Sequence, residues 1–256
     1  MHALSEFPEM NYVLGLQEAI VIAMADGYSR ATGKLSACNV HVAPGLGNAM
    51  GAIYNAKFVG SPIIITAGQQ EQGHGLMEPQ LSGPLVQMAE PLVKWAIEVT
   101  RLEDLPRIMR RAAKVALAPP SGPVFISLPG DILNTEKNID LGGVTRINDN
   151  VVPDDKTIST ILKRIIKSTK PMIISGHEVA CTNAFDEIQK FAEVIGAAVY
   201  QQTVAHGSHY PSEHQNFMGF LPKNQTQAKK IIEEYDLLIC IAVSYTHLTL
   251  PTNREV

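Results

Sequence analysis

The feature that most narrows the choice of fold is an alternation along the chain. Short apolar, β-branched runs recur at Leu35 to Val42, Ile63 to Ala67, Trp95 to Val99 and Val124 to Leu128. Longer segments with helical spacing of apolar residues separate them: Leu16 to Thr32, a stretch ending near Phe58, and Leu102 to Leu117. A further short strand is expected at Tyr12 to Leu14, and Gly33 stands where the first helix should stop. Strands joined through helices cannot be hairpin partners. Each connection must cross over, which produces a parallel sheet covered on both faces. A second series follows, with helices at Thr157 to Ser168, Ala184 to Ile195 and Gln225 to Glu234. Its strands are Pro171 to Ser175, Ala197 to Tyr200 and Asp236 to Ile241.

The expectation is therefore an α/β protein of two consecutive parallel-sheet domains, residues 1–135 and 156–243. The polar stretch 136–155, with Gly142, Gly143, Asn148 and Pro153, reads as a linker. A length of 256 residues suits two such domains. Residues 244–256 neither extend the last strand into a helix nor close the domain. They resemble translated read-through of a sequencing adapter, so they are expected to be a non-native tail, with the coding sequence cut near Val243.

Charge and cysteine content exclude several classes of partner. A net charge of −4, with no basic cluster, gives no footprint for nucleic acid or an anionic membrane. No run approaches the ~20 apolar residues of a membrane span, and the first residues lack a secretory pattern. Three widely spaced cysteines, Cys38, Cys181 and Cys240, argue against a disulfide framework or a cysteine-based zinc site and suit a reducing cytoplasm.

Chemistry is expected in the segment Leu14 to Gly51. In open α/β sheets, ligands sit outside the carboxyl ends of the strands. Glu18, at the start of an apolar helix, and His41, at a strand end, both fall there. The stretch Gly45-Leu46-Gly47-Asn48 reads as a glycine turn opening a helix, its glycines allowing close backbone approach and Asn48 supplying a polar group. It misses the dinucleotide fingerprint, because Met50 stands at the third glycine position and Gly51 comes one residue late. Gln69 and Gln70, after a strand end, are candidates for the mouth of the site. His206, His209 and His214, with His177 elsewhere, read as solvated loop histidines and not as metal ligands, since His-x-x-His lacks the i, i+4 helical spacing.

Several linked motifs resemble the thiamine-diphosphate-dependent 2-oxo-acid decarboxylase and acetolactate synthase superfamily, nearest its benzoylformate decarboxylase branch. They are Leu-Gln-Glu-Ala around Glu18, Ala-Asp-Gly-Tyr at 25–28, and His-x-x-x-Gly-x-Gly-Asn-Ala-Met-Gly at 41–51. Thr66-Ala67-Gly68-Gln69-Gln70, Pro91-Leu92-Val93-Lys94-Trp95 and Gly122-Pro123-Val124 extend them.

The resemblance implies a pyrimidine-binding domain followed by a Rossmann-like middle domain. Glu18 would hydrogen-bond the pyrimidine nitrogen and activate thiamine diphosphate. A greasy setting would raise its proton affinity. His41 would deliver a proton or hold the substrate carboxylate, with Gly45, Gly47 and Asn48 on the cofactor. Magnesium would be bound outside this segment, since the family's Gly-Asp-Gly is absent. A fragment of this kind would be inactive alone and the full-length enzyme a homodimer or homotetramer acting on a small 2-oxo acid. Decarboxylation to an aldehyde is the leading expectation. An acetolactate-synthase-like carboligase and a non-catalytic Rossmann-like binding protein are the alternatives.

Overall fold

A computed structural model describes residues 6–143, 152–203 and 207–243. Its contacts divide the chain into Met1–Asn150 and Val151–Val256. The tail at 244–256 and the middle of the linker, 144–151, lie outside the described residues.

The first unit runs α1 (Glu18–Thr32), β1 (Ser36–Val40), α2 (Val42–Val59), β2 (Ile63–Gln69), α3 (Leu85–Ala89), β3 (Ala96–Glu98), α4 (Leu105–Leu117), β4 (Val124–Pro129) and α5 (Gly130–Leu133). Its sheet order is β1-β2-β4-β3, with every pairing parallel. Alternation along the strands splits the core between two faces. Ile63, Ile65, Ala67 and Phe125 meet Ile22 of α1 and Leu46, Ala49 and Ile53 of α2. Ile64, Val124 and Ile126 meet Ala112 and Ala116 of α4. Every one of these is buried, so both faces are covered as parallel sheets require.

Polar contacts fix where α1 lies on the sheet. Ser29 donates to the Pro62 carbonyl at 3.0 Å, Ser36 donates to the Ala25 carbonyl at 3.1 Å, and the Ser61 hydroxyl donates to Asp26. Gly33 ends α1 as expected, at φ 66° with its N–H on the Ser29 carbonyl at 2.8 Å. The strand expected at Tyr12 to Leu14 does not form. These side chains are exposed and no neighbouring strand pairs with them; β-propensity without a ladder partner makes no strand.

The second unit comprises α6 (Asp155–Lys167), β5 (Pro171–Ser175), α7 (Glu178–Cys181), α8 (Phe185–Ile195), β6 (Ala198–Gln201), β7 (Phe217–Phe220), α9 (Gln225–Ile232) and β8 (Leu237–Ile241). The order is β7-β6-β5-β8, again wholly parallel. Sequence reading misses β7, because Gly219 interrupts it at φ 110° and its register against β6 shifts at Val199/Tyr200. Only the neighbouring strand makes that segment extended.

The histidines of this unit correct another expectation. His209 is fully buried, and the His214 side chain is only 12% exposed. The Asn216 N–H donates to His214 Nδ1 at 3.2 Å, so Nδ1 accepts and Nε2 carries the proton toward Glu193 Oε1 at 3.1 Å. The Tyr210 hydroxyl also lies 2.9 Å from Nδ1. Burial, with Glu193 nearby, pushes the Tyr210 phenol up to about 12. A buried tyrosine needs a partner for its hydroxyl, and meeting that need draws His214 out of solvent. His206 lies outside the described residues.

Asp236, just before β8, ties that strand to the residues preceding β5. It accepts from the Ser168 hydroxyl, from Thr169 N and Oγ1 at 2.7 and 2.8 Å, and from Lys170 N at 3.1 Å. These bonds, the Ser168 hydroxyl foremost, hold its carboxyl far below the usual range. A depressed carboxylate pKa stabilises the fold above the unfolded pKa, and that contribution is lost as pH falls through the folded pKa. Asp236→Asn should therefore destabilise this unit at neutral pH. The gap between wild type and variant should shrink from about pH 4 downward. Urea melts across pH 2–7 would check this, and a pH-independent gap would refute it.

Candidate active site

The C-terminal ends of β1 and β2 lie side by side, Val40 opposite Ala67. His41 leaves β1 and Gln69 ends β2, so both stand at the sheet edge where open α/β folds hold ligands. Glu18 reaches the same place from the first turn of α1, which packs along α2.

Gly45 is where these residues meet. A Cβ built on it would lie 2.9 Å from Glu18 Oε1, 3.2 Å from Glu18 Cγ and 3.2 Å from His41 Cβ. Only hydrogen leaves room for the carboxylate there. Asn48, one helical turn on, donates from Nδ2 to Glu18 Oε2 at 3.4 Å. Glu18 is partly buried, while His41 and Asn48 are exposed. A hollow of about 190 Å³ opens beside them, walled by Leu16, Glu18, Val21, Asn39 and His41. It can take one heteroaromatic ring. A larger, shallow hollow of about 520 Å³ borders Leu102 and Thr135–Ile139. Its lysine, Lys137, is paired with Glu103, and no site residue lines it.

Three expectations need correcting. The glycine stretch is not a turn before a helix. Gly45 and Gly47 lie inside α2, which starts at Val42, directly after β1. The turn is compressed into His41 and Val42, and Val42 absorbs it at φ 39°. A left-handed backbone at a β-branched residue is strained, typically by about 1–3 kcal/mol. Second, the setting of Glu18 is polar and partly open, not greasy: bare glycine, His41 and Asn48 surround the carboxylate. Third, Gly45 faces Glu18 itself, whereas a Cβ on exposed Gly47 would meet nothing within 4 Å.

Gln69 and Gln70 have other engagements. Gln69 Nε2 donates to the Gly83 carbonyl at 2.8 Å, and its Oε1 accepts from Gln70 N at 2.9 Å. Gln70 Nε2 donates to the Gln80 carbonyl at 2.9 Å. Both amides latch residues 70–84 to the end of β2. Sequence reasoning did not find the strain at Val42, the Asn48–Glu18 bond or this latch. The Glu18 and Asn48 partners are 30 residues apart. A helical turn opening directly at His41 was the one local signal that could have placed Asn48 on the same face as Gly45.

Comparisons with known proteins place both units in one family. Residues 1–83 match the model of the thiamine pyrophosphate enzyme N-terminal TPP binding domain, and residues 158–255 match that of the thiamine pyrophosphate enzyme central domain. The chain is 31% identical to a benzoylformate decarboxylase of Pseudomonas aeruginosa, over 93% of its own length and 46% of that protein. It is 28% identical to an acetolactate synthase large subunit of Buchnera aphidicola, over 96% of its length and 44% of that protein. Among solved structures, a thiamine diphosphate-dependent 4-hydroxybenzoylformate decarboxylase of Rhodococcus jostii superposes with a TM-score of 0.88 at 34% identity, covering 93% of this chain and 46% of that one. A benzoylformate decarboxylase of Polynucleobacter necessarius gives 0.86 at 37%, covering 93% and 45%. The chain thus spans about half the length of the relatives it matches.

Proposed function

This chain belongs to the thiamine pyrophosphate enzymes, and on that premise we propose that the full-length protein decarboxylates a small 2-oxo acid to an aldehyde and carbon dioxide. The carrying observation is the pair Glu18 and His41, brought together over Gly45 at the end of β1. The identities to decarboxylases support that reaction over others.

The residues present suit the pyrimidine half of the cofactor. Glu18 is an acceptor held by Asn48 beside a ring-sized hollow. When bound, thiamine diphosphate supplies a carbon nucleophile and an electron sink for the carboxylate's departure. Glu18 holds and exchanges a proton with the pyrimidine nitrogen, and Asn48 keeps its carboxylate oriented. His41, exposed at the mouth, carries a proton to the reacting carbon or hydrogen-bonds the 2-oxo acid. Gln69 and Gln70 act indirectly, by holding residues 70–84 beside the site. Among the described residues no cluster of three or more histidine, cysteine or acidic side chains could hold a metal. We propose that magnesium is held in the full-length protein by residues other than those described.

The two units correspond to a pyrimidine-binding domain and a middle domain. Large apolar side chains stay exposed on α1 and α2, among them Ile20, Met24, Tyr28, Tyr54 and Phe58. Faces of this kind mark association, so the active form is a homodimer or homotetramer. No helix among the described residues is long and apolar enough to cross a membrane.

The match to acetolactate synthases favours a second reading, a carboligase that joins two 2-oxo acids. Product analysis on the full-length protein separates the two. With benzoylformate and pyruvate supplied in turn, the proposal expects aldehyde and carbon dioxide. Acetohydroxy acid as the main product would overturn it in favour of the carboligase.

A further inference from the structure

We infer that Val42 is a positioning residue that aims His41. The inference rests on the reading of His41 as the residue that handles a proton or the substrate carboxylate. His41 has no side-chain cap bond, and its backbone is extended at φ −87°, ψ 102°. What fixes its direction is the backbone on either side. Before it, Val40 is locked into the sheet opposite Ala67. After it, the His41 carbonyl accepts from the Gly45 N–H at 2.7 Å, the first bond of α2. Between these anchors the chain must turn from strand to helix in a single residue, and Val42 makes that turn at φ 39°.

A branched residue stays in such a conformation only where its surroundings over-determine it. Here Gly68 receives it. The Val42 side chain is 9% exposed, and its Cγ1 lies 3.7 Å from where a Cβ on Gly68 would be. The neighbouring Ala43 Cβ sits 2.9 Å from where a Cβ on Gly83 would be, in the segment that Gln69 latches. The branched side chain is thus the wedge that holds the left-handed turn, and the turn sets the exit direction of His41 beside Glu18. A glycine at 42 would accept the same φ at no steric cost but would not hold it.

The test is made in the full-length enzyme loaded with thiamine diphosphate and magnesium. Val42→Gly is expected to lower kcat by about tenfold or more, with KM and cofactor Kd changed less than about twofold. The imidazole signal of His41, read by NMR with labelled histidine, should broaden or split. Val42→Thr, which keeps the branched shape, should restore both kcat and a single signal. A fully active Val42→Gly with an unchanged His41 signal overturns the inference, and so does a Val42→Thr as slow as Val42→Gly. Should Val42→Gly melt below assay temperature, Val42→Ala is read by the same criteria. His41→Ala, run alongside, separates the two levels of the argument. Full turnover there removes the role of His41 and this inference with it. A slow His41→Ala beside a fully active Val42→Gly removes the positioning role alone.

Discussion

Glu18→Gln in the full-length enzyme is expected to lower turnover by ~10²–10⁴-fold, the range over which a positioned proton-transfer group contributes. The substitution keeps the size and shape of the side chain. Its amide oxygen can still accept from Asn48, and a neutral group is accommodated where a partly buried carboxylate already sits. Stability should therefore change little, as for most substitutions away from a core or a buried ion pair. What would be lost, on the proposed reading, is the group that exchanges a proton with the pyrimidine nitrogen. Steady-state rates at saturating cofactor, with a thermal melt of the same sample, check the expectation. If a correctly folded Glu18→Gln kept within twofold of wild-type activity, the catalytic reading would give way to that of a non-catalytic Rossmann-like binding protein.

Gly45→Ala should separate stability from activity. Gly45 lies inside α2, where alanine is favoured over glycine by about 0.5–1 kcal/mol. The new methyl would meet Glu18 Oε1 at 2.9 Å and His41 Cβ at 3.2 Å. The carboxylate is the end of a flexible side chain and can retreat, so the fold survives while the site is displaced. A misplacement of this order costs about 10²-fold in rate. The expected result is a melting temperature unchanged or raised beside a turnover roughly a hundredfold lower. Gly47→Ala is the companion measurement. It carries the same helix gain with nothing within 4 Å, so the apo protein should be stabilised by about 0.5–1 kcal/mol. Any weakening of cofactor binding there reports on the close approach proposed for Gly47. Undiminished turnover in Gly45→Ala would mean that the seating of Glu18 on this glycine is functionally idle.

Much of this could be read along the chain because the signals are local. Strands bounded by glycine and proline, and helices with apolar positions three and four apart, specify themselves within a few residues. That is why Pro171–Ser175 and the stop at Gly33 were legible, and why Glu18 and His41 could be named from their places at a helix start and a strand end. β7 was not legible, since its extended form depends on β6 beside it. Nor was the emptiness of residues 12–14, where the propensity exists and the partner does not.

The amino-acid order by itself determined the two parallel-sheet units, the family, and which carboxylate and imidazole to inspect. Only the tertiary structure decided what those groups touch. It placed the glycines within α2 and turned Gly45 toward Glu18. It gave Asn48 to the carboxylate, spent Gln69 and Gln70 on a loop, withdrew His209 and His214 from water, and put the strain of the strand-to-helix turn on Val42. Each of these depends on segments far apart in the chain arriving within a few ångströms. Hydrogen bonds and steric exclusion act at that range alone, and no local pattern of residues records it.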